Sequence, residues 1–276
     1  MCSDYWISKG DFEVTVIVTE SLSCMTMELC RTNNTVLVPV DCFIDGKRYS
    51  DRITNDVPPP EDSHSVPPST ETYRKTFDKY VSSGQKVICI TTSCKISCAY
   101  DNATSAASEF STDKVRVVDS GVVAGGLFLM VKHVREKFGD DGDLCEIVAS
   151  LEEYKKRISV KFTSNNTDRL ENTHRLALSD PEKRPRLDQK PVFIIEDGSI
   201  IHRSSASPGF REISELITEL DDPKYVVLHY LEKNEYLHEV GTAIKKKCPK
   251  AKIFTFPITL SLKINLGTSI IGIIGD

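Results

Sequence analysis

Short apolar runs alternate with segments of helical spacing in the first half of the chain, and this alternation constrains the fold most. Strand-like runs lie at residues 14–19, 86–90 and 115–119, and helix-like segments at 73–81, 103–107 and 121–135. Continuous β-branched runs of this length are typical of strands buried on both faces. Alternating strands and helices therefore predict an N-terminal three-layer α/β domain with a mainly parallel sheet.

Polar residues follow these predicted strands directly. The three strand ends carry Thr19-Glu20-Ser21, Thr91-Thr92-Ser93 and Asp119-Ser120. In open parallel sheets, ligands bind beyond the carboxyl ends of the strands. The sequence thus predicts a hydroxyl-rich binding site at this edge of the sheet.

The pattern changes after about residue 158. A hairpin is predicted around Glu196-Asp197-Gly198, followed by strands at 225–229 and 251–256, helices at 210–220 and 235–248, and an apolar segment at 264–274. This part is expected to be a smaller α/β domain with a mixed sheet. A chain of 276 residues suits two domains, and we expect residues 1–157 and 158–276, with a ligand cleft between them.

Composition excludes several classes of function. The formal net charge is −5, which argues against nucleic acid and against a polybasic membrane-binding surface. The longest apolar run, residues 121–131, is well short of the roughly 20 residues of a membrane span, so stable membrane insertion is not expected. The N-terminus shows no secretory signal, which predicts a cytoplasmic protein.

The nine cysteines form no metal or redox motif. Cys94 and Cys98 are four residues apart, and one alternative is an enzyme that uses either as a nucleophile with His64 or His229 close in space. No glycine-rich phosphate motif supports nucleotide binding, and Gly125-Gly126 in an apolar helix is expected to be a packing notch. No cofactor or metal is predicted.

A proline-rich segment at residues 57–69 holds five prolines and is predicted to be a loop without regular structure. It follows the turn pair Asp45-Gly46, which predicts a tight reversal between two strands. Long loops within compact domains are often functional.

Several blocks of the sequence resemble one known family. Residues 38–51, Val-Pro-Val-Asp-Cys-Phe-Ile-Asp-Gly-Lys-Arg-Tyr-Ser-Asp, resemble the V-P-L-x-x-x-x-D-G-x-x-Y-x-D stretch of the DegV family. Six later blocks follow in the family's order, at 65–69, 93–100, 118–120, 173–176, 190–192 and 265–272. On these blocks the chain is identified as a divergent member of the DegV family.

The resemblance implies a lipid carrier that is not an enzyme by itself. Such proteins hold a long-chain fatty acid in an apolar tunnel, with its carboxylate among hydroxyls and a histidine at the domain cleft. Some present that carboxylate to a separate ATP-dependent fatty acid kinase. The ligand here would be a bound fatty acid rather than a cofactor.

Five residues of this sequence match the family's functional positions. The resemblance implies that Ser97 and Ser65 donate hydrogen bonds to the carboxylate. Asn265 replaces the family's histidine, and Gly267 keeps a close backbone approach. Arg175 matches the arginine that faces the kinase partner.

Two blocks depart from the family pattern. Residues 179–188 hold two prolines and six charges where relatives have an apolar helix over the ligand, so the tunnel is expected to be shorter or open. The family's V-R-x-R-x-K stretch is replaced at residues 202–208, so loss of kinase docking is expected. The alternative function is therefore an interaction protein of this fold that has lost lipid binding and has a filled interior.

Overall fold

The computed structural model describes residues 14–51, 62–176, 188–231, 234–267 and 269–276. The strands of the described residues are β1 Thr15–Glu20, β2 Thr35–Val38, β3 Asp41–Ile44, β4 Lys47–Ser50, β5 His64–Val66, β6 Lys86–Thr91, β7 Val115–Asp119, β8 Ser159–Thr163, β9 Lys190–Glu196, β10 Ser199–Ala206, β11 Tyr225–Tyr230, β12 Lys252–Pro257 and β13 Ile271–Gly275. The helices are α1 Met27–Thr32, α2 Thr70–Val81, α3 Ala99–Ala107, α4 Gly125–Phe138, α5 Leu144–Tyr154, α6 Thr167–Asn172, α7 Phe210–Ile217, α8 Glu235–Lys247 and α9 Leu260–Leu266. Short 3-10 helices lie at Ser21–Ser23 and Lys155–Arg157.

The first sheet has the order β2-β1-β6-β7, and its strands are all parallel. Strands β1, β6 and β7 confirm the predicted strands. Val16 and Val18 pack on α2 and α3 on one face, and Ile17 packs with α4 and α5 on the other. The predicted three-layer domain is therefore confirmed.

A small antiparallel sheet of order β4-β3-β5 extends the first half. The Asp45-Gly46 turn joins β3 to β4, with both residues at positive φ (49° and 72°), as the reversal requires. The prediction that residues 57–69 contain no regular structure is wrong at His64–Val66, which forms β5 against β3. These residues lie between prolines, where three residues can still adopt extended backbone and pair. Residues 57–61 of the loop lie outside the described residues.

The second sheet has the order β10-β9-β8-β13-β11-β12, and only β11 and β12 pair in parallel. This is the predicted mixed sheet, and the fold class is confirmed. Its strands all begin at or after Ser159, so the sheets separate near the predicted boundary. The largest apolar cluster nevertheless runs through both halves, from Ile17 to Ile274. The division into 1–157 and 158–276 therefore follows the sheets rather than the core and stays a prediction.

Helix α4 packs against both sheets. It contacts β6 of the first sheet and β11 and β13 of the second. Residues 125–131 are all buried, as expected for a helix enclosed on several sides. The predicted start at residue 121 is wrong, because Gly121 and Ala124 have positive φ values of 65° and 56° that helical backbone excludes. None of the helices in the described residues is long and apolar enough to cross a bilayer.

Gly125 permits the close approach of α4 to β11. A β-carbon added there would lie 2.5 Å from Val227 Cγ1 and 2.8 Å from His229 Nε2. The Gly125 N–H donates to His229 Nε2 over 2.8 Å. At Gly126, an added β-carbon would lie 2.6 Å from Val122 Cγ2. The expected packing notch is confirmed.

We predict that Gly125→Ala lowers the free energy of unfolding by about 1–3 kcal/mol, because Val227 and His229 must move to admit the methyl group. Urea denaturation measures this loss. Gly241→Ala in α8 is the matched control, since nothing lies within 4 Å of its added β-carbon. It should raise stability by about 0.5–1 kcal/mol through helix propensity. Equal effects of the two substitutions would contradict the packing role of Gly125.

Candidate functional site

A mostly apolar cavity lies where the two halves meet. The space between protein atoms there is about 880 Å³, which includes the open solvent at its mouth. Its wall is formed by Leu22, Val40, Ser65, Pro67, Thr92, Ile96, Ser97, Val123, Ala124, Val160, Lys161, Phe162, Leu170, Arg175, Ile200, His229, Ile258, Leu262, Asn265, Leu266, Ile270, Gly272 and Ile274. The described residues leave some space between the two halves, and the filled interior expected for an interaction protein stays a prediction.

A polar group of four residues lies at one part of this wall: Ser65, Ser97, Arg175 and Asn265. Ser65 comes from β5, Ser97 from the turn before α3, Arg175 from the segment after α6, and Asn265 from α9. Hydrogen bonds join three of them in a chain from Ser65 through Asn265 to Arg175. Four of the five residues that the resemblance singled out thus meet at one cavity.

The Asn265 amide is fully engaged. Its Nδ2 donates to Ser65 Oγ (2.9 Å) and to the Ser261 carbonyl (2.7 Å). Its Oδ1 accepts from Arg175 Nη1 (2.8 Å). The Ser261 carbonyl can only accept, so it fixes the orientation of the amide. Asn265 has no donor left for a ligand, which makes it a residue that orients its neighbours.

Arg175 brings a positive charge to the cavity. Its Nε donates to the Ile96 carbonyl at 3.4 Å, next to Ser97. Burial, and then the charge of Arg169, lower the pKa of Arg175, but a guanidinium stays protonated in proteins. No carboxylate forms an ion pair with Arg175 within the described ranges. The side chain faces the cavity, so its predicted role in contacting a partner stays a prediction.

The two serines each retain a hydroxyl proton to donate. Ser65 Oγ accepts from Asn265, and Ser97 Oγ accepts from the Ala99 N–H at 3.2 Å, near the start of α3. A serine hydroxyl that accepts can still donate one hydrogen bond. With Arg175 they form a set of donors suited to an anion.

Gly267 does not line the cavity. It ends α9 at φ +84°, and a β-carbon there would lie 2.3 Å from Asn165 Oδ1. Only glycine adopts this conformation at so close an approach without strain. The structure thus gives Gly267 a conformational role, and its predicted contact with a carboxylate stays a prediction.

Several polar residues at the strand ends form hydrogen bonds within the protein. Ser21 Oγ donates to Asp51 Oδ2 (2.8 Å), Ser93 Oγ to the Gly198 carbonyl (2.7 Å) and Ser120 Oγ to the Val122 carbonyl (3.0 Å). Thr92 differs, because it lines the cavity. Its N–H donates to Glu20 Oε1 over 2.7 Å.

Glu20 is a fully buried carboxyl group at the end of β1. Burial raises the pKa of Glu20 to about 7, outweighing the hydrogen bond from Thr92 that lowers it. Nearby Asp51 raises the pKa further, and the pKa of Asp51 is itself raised by burial. Protonation therefore stabilises the folded state at this position.

We predict that Glu20→Gln removes a pH dependence of stability. Unfolding restores the ordinary pKa of 4.5, so the wild type loses stability as pH rises from about 4.5 through 7. The loss is about 2–3 kcal/mol. The variant should lack it, as measured by urea unfolding at pH 5 and pH 8. Parallel losses in both proteins would contradict the burial of an ionisable carboxyl at residue 20.

The cysteine alternative finds no paired base in the described residues. His229 accepts from Gly125 through Nε2, and its Nδ1 lies 3.3 Å from the Phe256 carbonyl. Burial lowers the pKa of His229 to about 4, so its ring is neutral. His64 stacks on Phe43 with ring centres 4.9 Å apart. A hydrogen bond to Asp119 raises the pKa of the Cys94 thiol, the opposite of what a nucleophile requires.

The described part of the chain contains no group of three or more His, Cys, Asp or Glu side chains that could hold a metal ion. The polar segment 179–188 lies outside the described residues up to position 187, as does Thr268. The expected shortening of the tunnel by that segment therefore stays a prediction. The replaced stretch at residues 202–208 lies in β10 and the turn that follows it.

Comparisons with known proteins agree on one family. The profile described as "Uncharacterised protein, DegV family" matches residues 15–275. A DegV domain-containing protein of Staphylococcus aureus is 24% identical over 228 residues, covering 78% of this chain and 81% of the relative. One from Caldanaerobacter subterraneus is 24% identical over 250 residues, covering 85% and 89%.

Solved structures share the fold. A fatty-acid-binding DegV family protein of Thermus thermophilus has a TM-score of 0.83 at 18% identity, covering 95% of this chain and 98% of its own. DegV of Bacillus subtilis, a fatty acid binding protein, has 0.80 at 17%, with the same coverage. The Streptococcus pneumoniae fatty acid kinase B3 protein, loaded with linoleic acid, has 0.76 at 16%, covering 95% and 99%.

Proposed function

Because this chain belongs to the DegV family, we propose that it binds a long-chain fatty acid, with the acyl chain in the apolar cavity and the carboxylate at Ser65, Ser97 and Arg175. The observation that carries the proposal is the position of these donors on a mostly apolar wall. An amphiphile with one anionic end matches such a surface. The neighbours from Thermus thermophilus and Bacillus subtilis, both fatty-acid-binding proteins, support the same ligand class.

In this assignment the carboxylate receives hydrogen bonds from two hydroxyls and one cation. Hydrogen bonds to an ionised group are shorter and stronger than neutral ones. Asn265 orients Ser65 and Arg175 instead of contacting the ligand. The ligand is a cargo, the protein is not an enzyme by itself, and no cofactor takes part.

We further propose that a separate ATP-dependent kinase acts on the bound carboxylate in the cytosol. The support is the structural likeness to the kinase B3 protein of Streptococcus pneumoniae. Arg175 is the residue predicted to contact the kinase. If conversion of the carboxylate to an acyl phosphate moves the head group away from Arg175, the guanidinium becomes free for that contact.

Recombinant protein should carry fatty acid from its host. Denaturing mass spectrometry of the extracted lipid is expected to show long-chain acids close to one per protein molecule. Delipidated protein should take up oleate again. Protein that carries no acid and takes none up would overturn the proposal in favour of an interaction protein.

We predict that Arg175→Gln weakens oleate binding about 10- to 100-fold, because a hydrogen bond to a charged group contributes about 1.5–3 kcal/mol. Isothermal titration calorimetry measures the change. Arg203→Gln is the matched control, since Arg203 is exposed on β10 and does not line the cavity. It should bind within about twofold of the wild type. A similar loss in both variants would contradict a specific contact by Arg175.

A further inference from the structure

Glu20 does not line the cavity, but its carboxyl group contacts a residue that does, Thr92. Its side chain lies on the same face of β1 as Val16 and Val18 and is completely buried. Its Oε1 accepts from the Thr92 N–H, whereas Oε2 has no hydrogen-bond partner among the described residues. Thr92 lines the cavity, so it stands between this carboxyl group and the proposed ligand.

The ionisable groups around Glu20 offer it no positive charge. The phenol of Tyr73 in α2 and the thiol of Cys89 in β6 both interact with its charge, and so does the Asp51 carboxyl. No basic side chain forms an ion pair with Glu20 in the part of the chain that the structure describes. An ionised Glu20 must therefore take its hydrogen bonds from neutral donors.

One such donor on the cavity wall is the Thr92 hydroxyl. Thr92 Oγ1 is buried without a hydrogen bond of normal geometry, yet the side chain lies close enough to interact with the Glu20 carboxyl. Glu20 Oε2 and Thr92 Oγ1 thus both lack a hydrogen-bond partner, and each could serve the other. Buried polar atoms of this kind are rare and call for a partner.

The Thr92 hydroxyl has one proton, and the charge of Glu20 decides where it points. Ionised Glu20 can only accept, so it draws the Thr92 proton away from the cavity. Protonated Glu20 can donate to Thr92 Oγ1, which frees the Thr92 proton for an acceptor in the cavity. With Glu20 ionised, Thr92 therefore presents an oxygen lone pair to a carboxylate in the cavity. With Glu20 protonated, Thr92 presents a hydrogen-bond donor.

We propose that Glu20 and Thr92 form a proton-linked pair, in which protonation of Glu20 turns the Thr92 hydroxyl toward the fatty-acid carboxylate. This inference rests on the proposed function and adds a fourth donor to the head-group site. Ligand binding is then coupled to uptake of a proton by Glu20. Glu20 acts as a positioning residue, since it reaches the ligand only through Thr92.

The charge state of Glu20 is balanced near neutral pH. Burial raises the pKa of Glu20 to about 7, so both forms are populated there. A bound carboxylate is a like charge and raises this pKa further, which favours proton uptake on binding. The affinity for oleate is therefore expected to fall as pH rises through 7.

The experiment is calorimetric titration of oleate into wild type, Glu20→Gln and Thr92→Val between pH 6 and 8.5. Wild type should lose about three- to tenfold in affinity over this range, and at pH 7 its binding heat should depend on the ionisation enthalpy of the buffer. In Glu20→Gln the amide of residue 20 can donate to Thr92 at every pH. The affinity of this variant for oleate should therefore not change with the protonation of residue 20, and it should exceed that of wild type at pH 8.5. Thr92→Val should bind more weakly than wild type at pH 6.

The ionisation of oleate itself affects all variants equally. Comparison of the wild-type pH profile with that of Glu20→Gln therefore isolates the contribution of Glu20. Glu212→Gln is the control, because Glu212 is an equally buried carboxyl held by Thr163 and Lys190 away from the cavity. It should keep the wild-type pH profile. Binding with the same pH profile in Glu20→Gln as in wild type overturns the proton-linked pair while leaving lipid binding intact. No binding of oleate by wild type at any pH overturns the proposed function as well.

Discussion

Helix α4 is the element on which both sheets depend. Its first two turns are buried between β6 of the first sheet and β11 and β13 of the second. A helix enclosed in this way cannot have a polar face, and residues 125–131 have none. The contact is close because Gly125 has no side chain and because its N–H has a partner in His229. The cavity wall includes Val123 and Ala124, immediately before this helix.

That arrangement explains how the largest apolar cluster can run through both halves although the two large sheets are separate. The first sheet comes entirely from the first half of the chain and is parallel, so local patterns suffice to predict β1, β6 and β7. The start of α4 could not be predicted, because the positive φ of Ala124 is set by tertiary contacts and not by its residue type. Strand β8 was not predicted either, because a lysine, Lys161, lies in the middle of its apolar pattern. Lys161 is nevertheless buried, and its amine donates to the Glu215 carbonyl.

The candidate site shows a different limit. Ser65 and Ser97 are predictable through the family resemblance, and Glu20 and Thr92 belong to the polar strand ends that predict a binding site. Their roles depend on hydrogen bonds between distant positions, such as Asn265 to Ser65 across 200 residues and Arg175 to Asn265 across 90. A single sequence records which groups exist, but not which of them are already engaged. Asn265 has the chemistry of a donor and yet has no donor to spare.

The substitution at position 265 also changes how the site can respond to protons. The family pattern has a histidine there, a group that titrates near neutral pH. Asparagine cannot carry a proton, and Arg175 stays charged throughout. Among the groups next to the cavity, His229 is held neutral with its pKa lowered to about 4. Glu20, by contrast, can change charge near pH 7. It hydrogen-bonds to the Thr92 N–H and does not contact the proposed ligand directly. Burial of a carboxyl group costs stability at alkaline pH, and a link to the head-group site would give that cost a function.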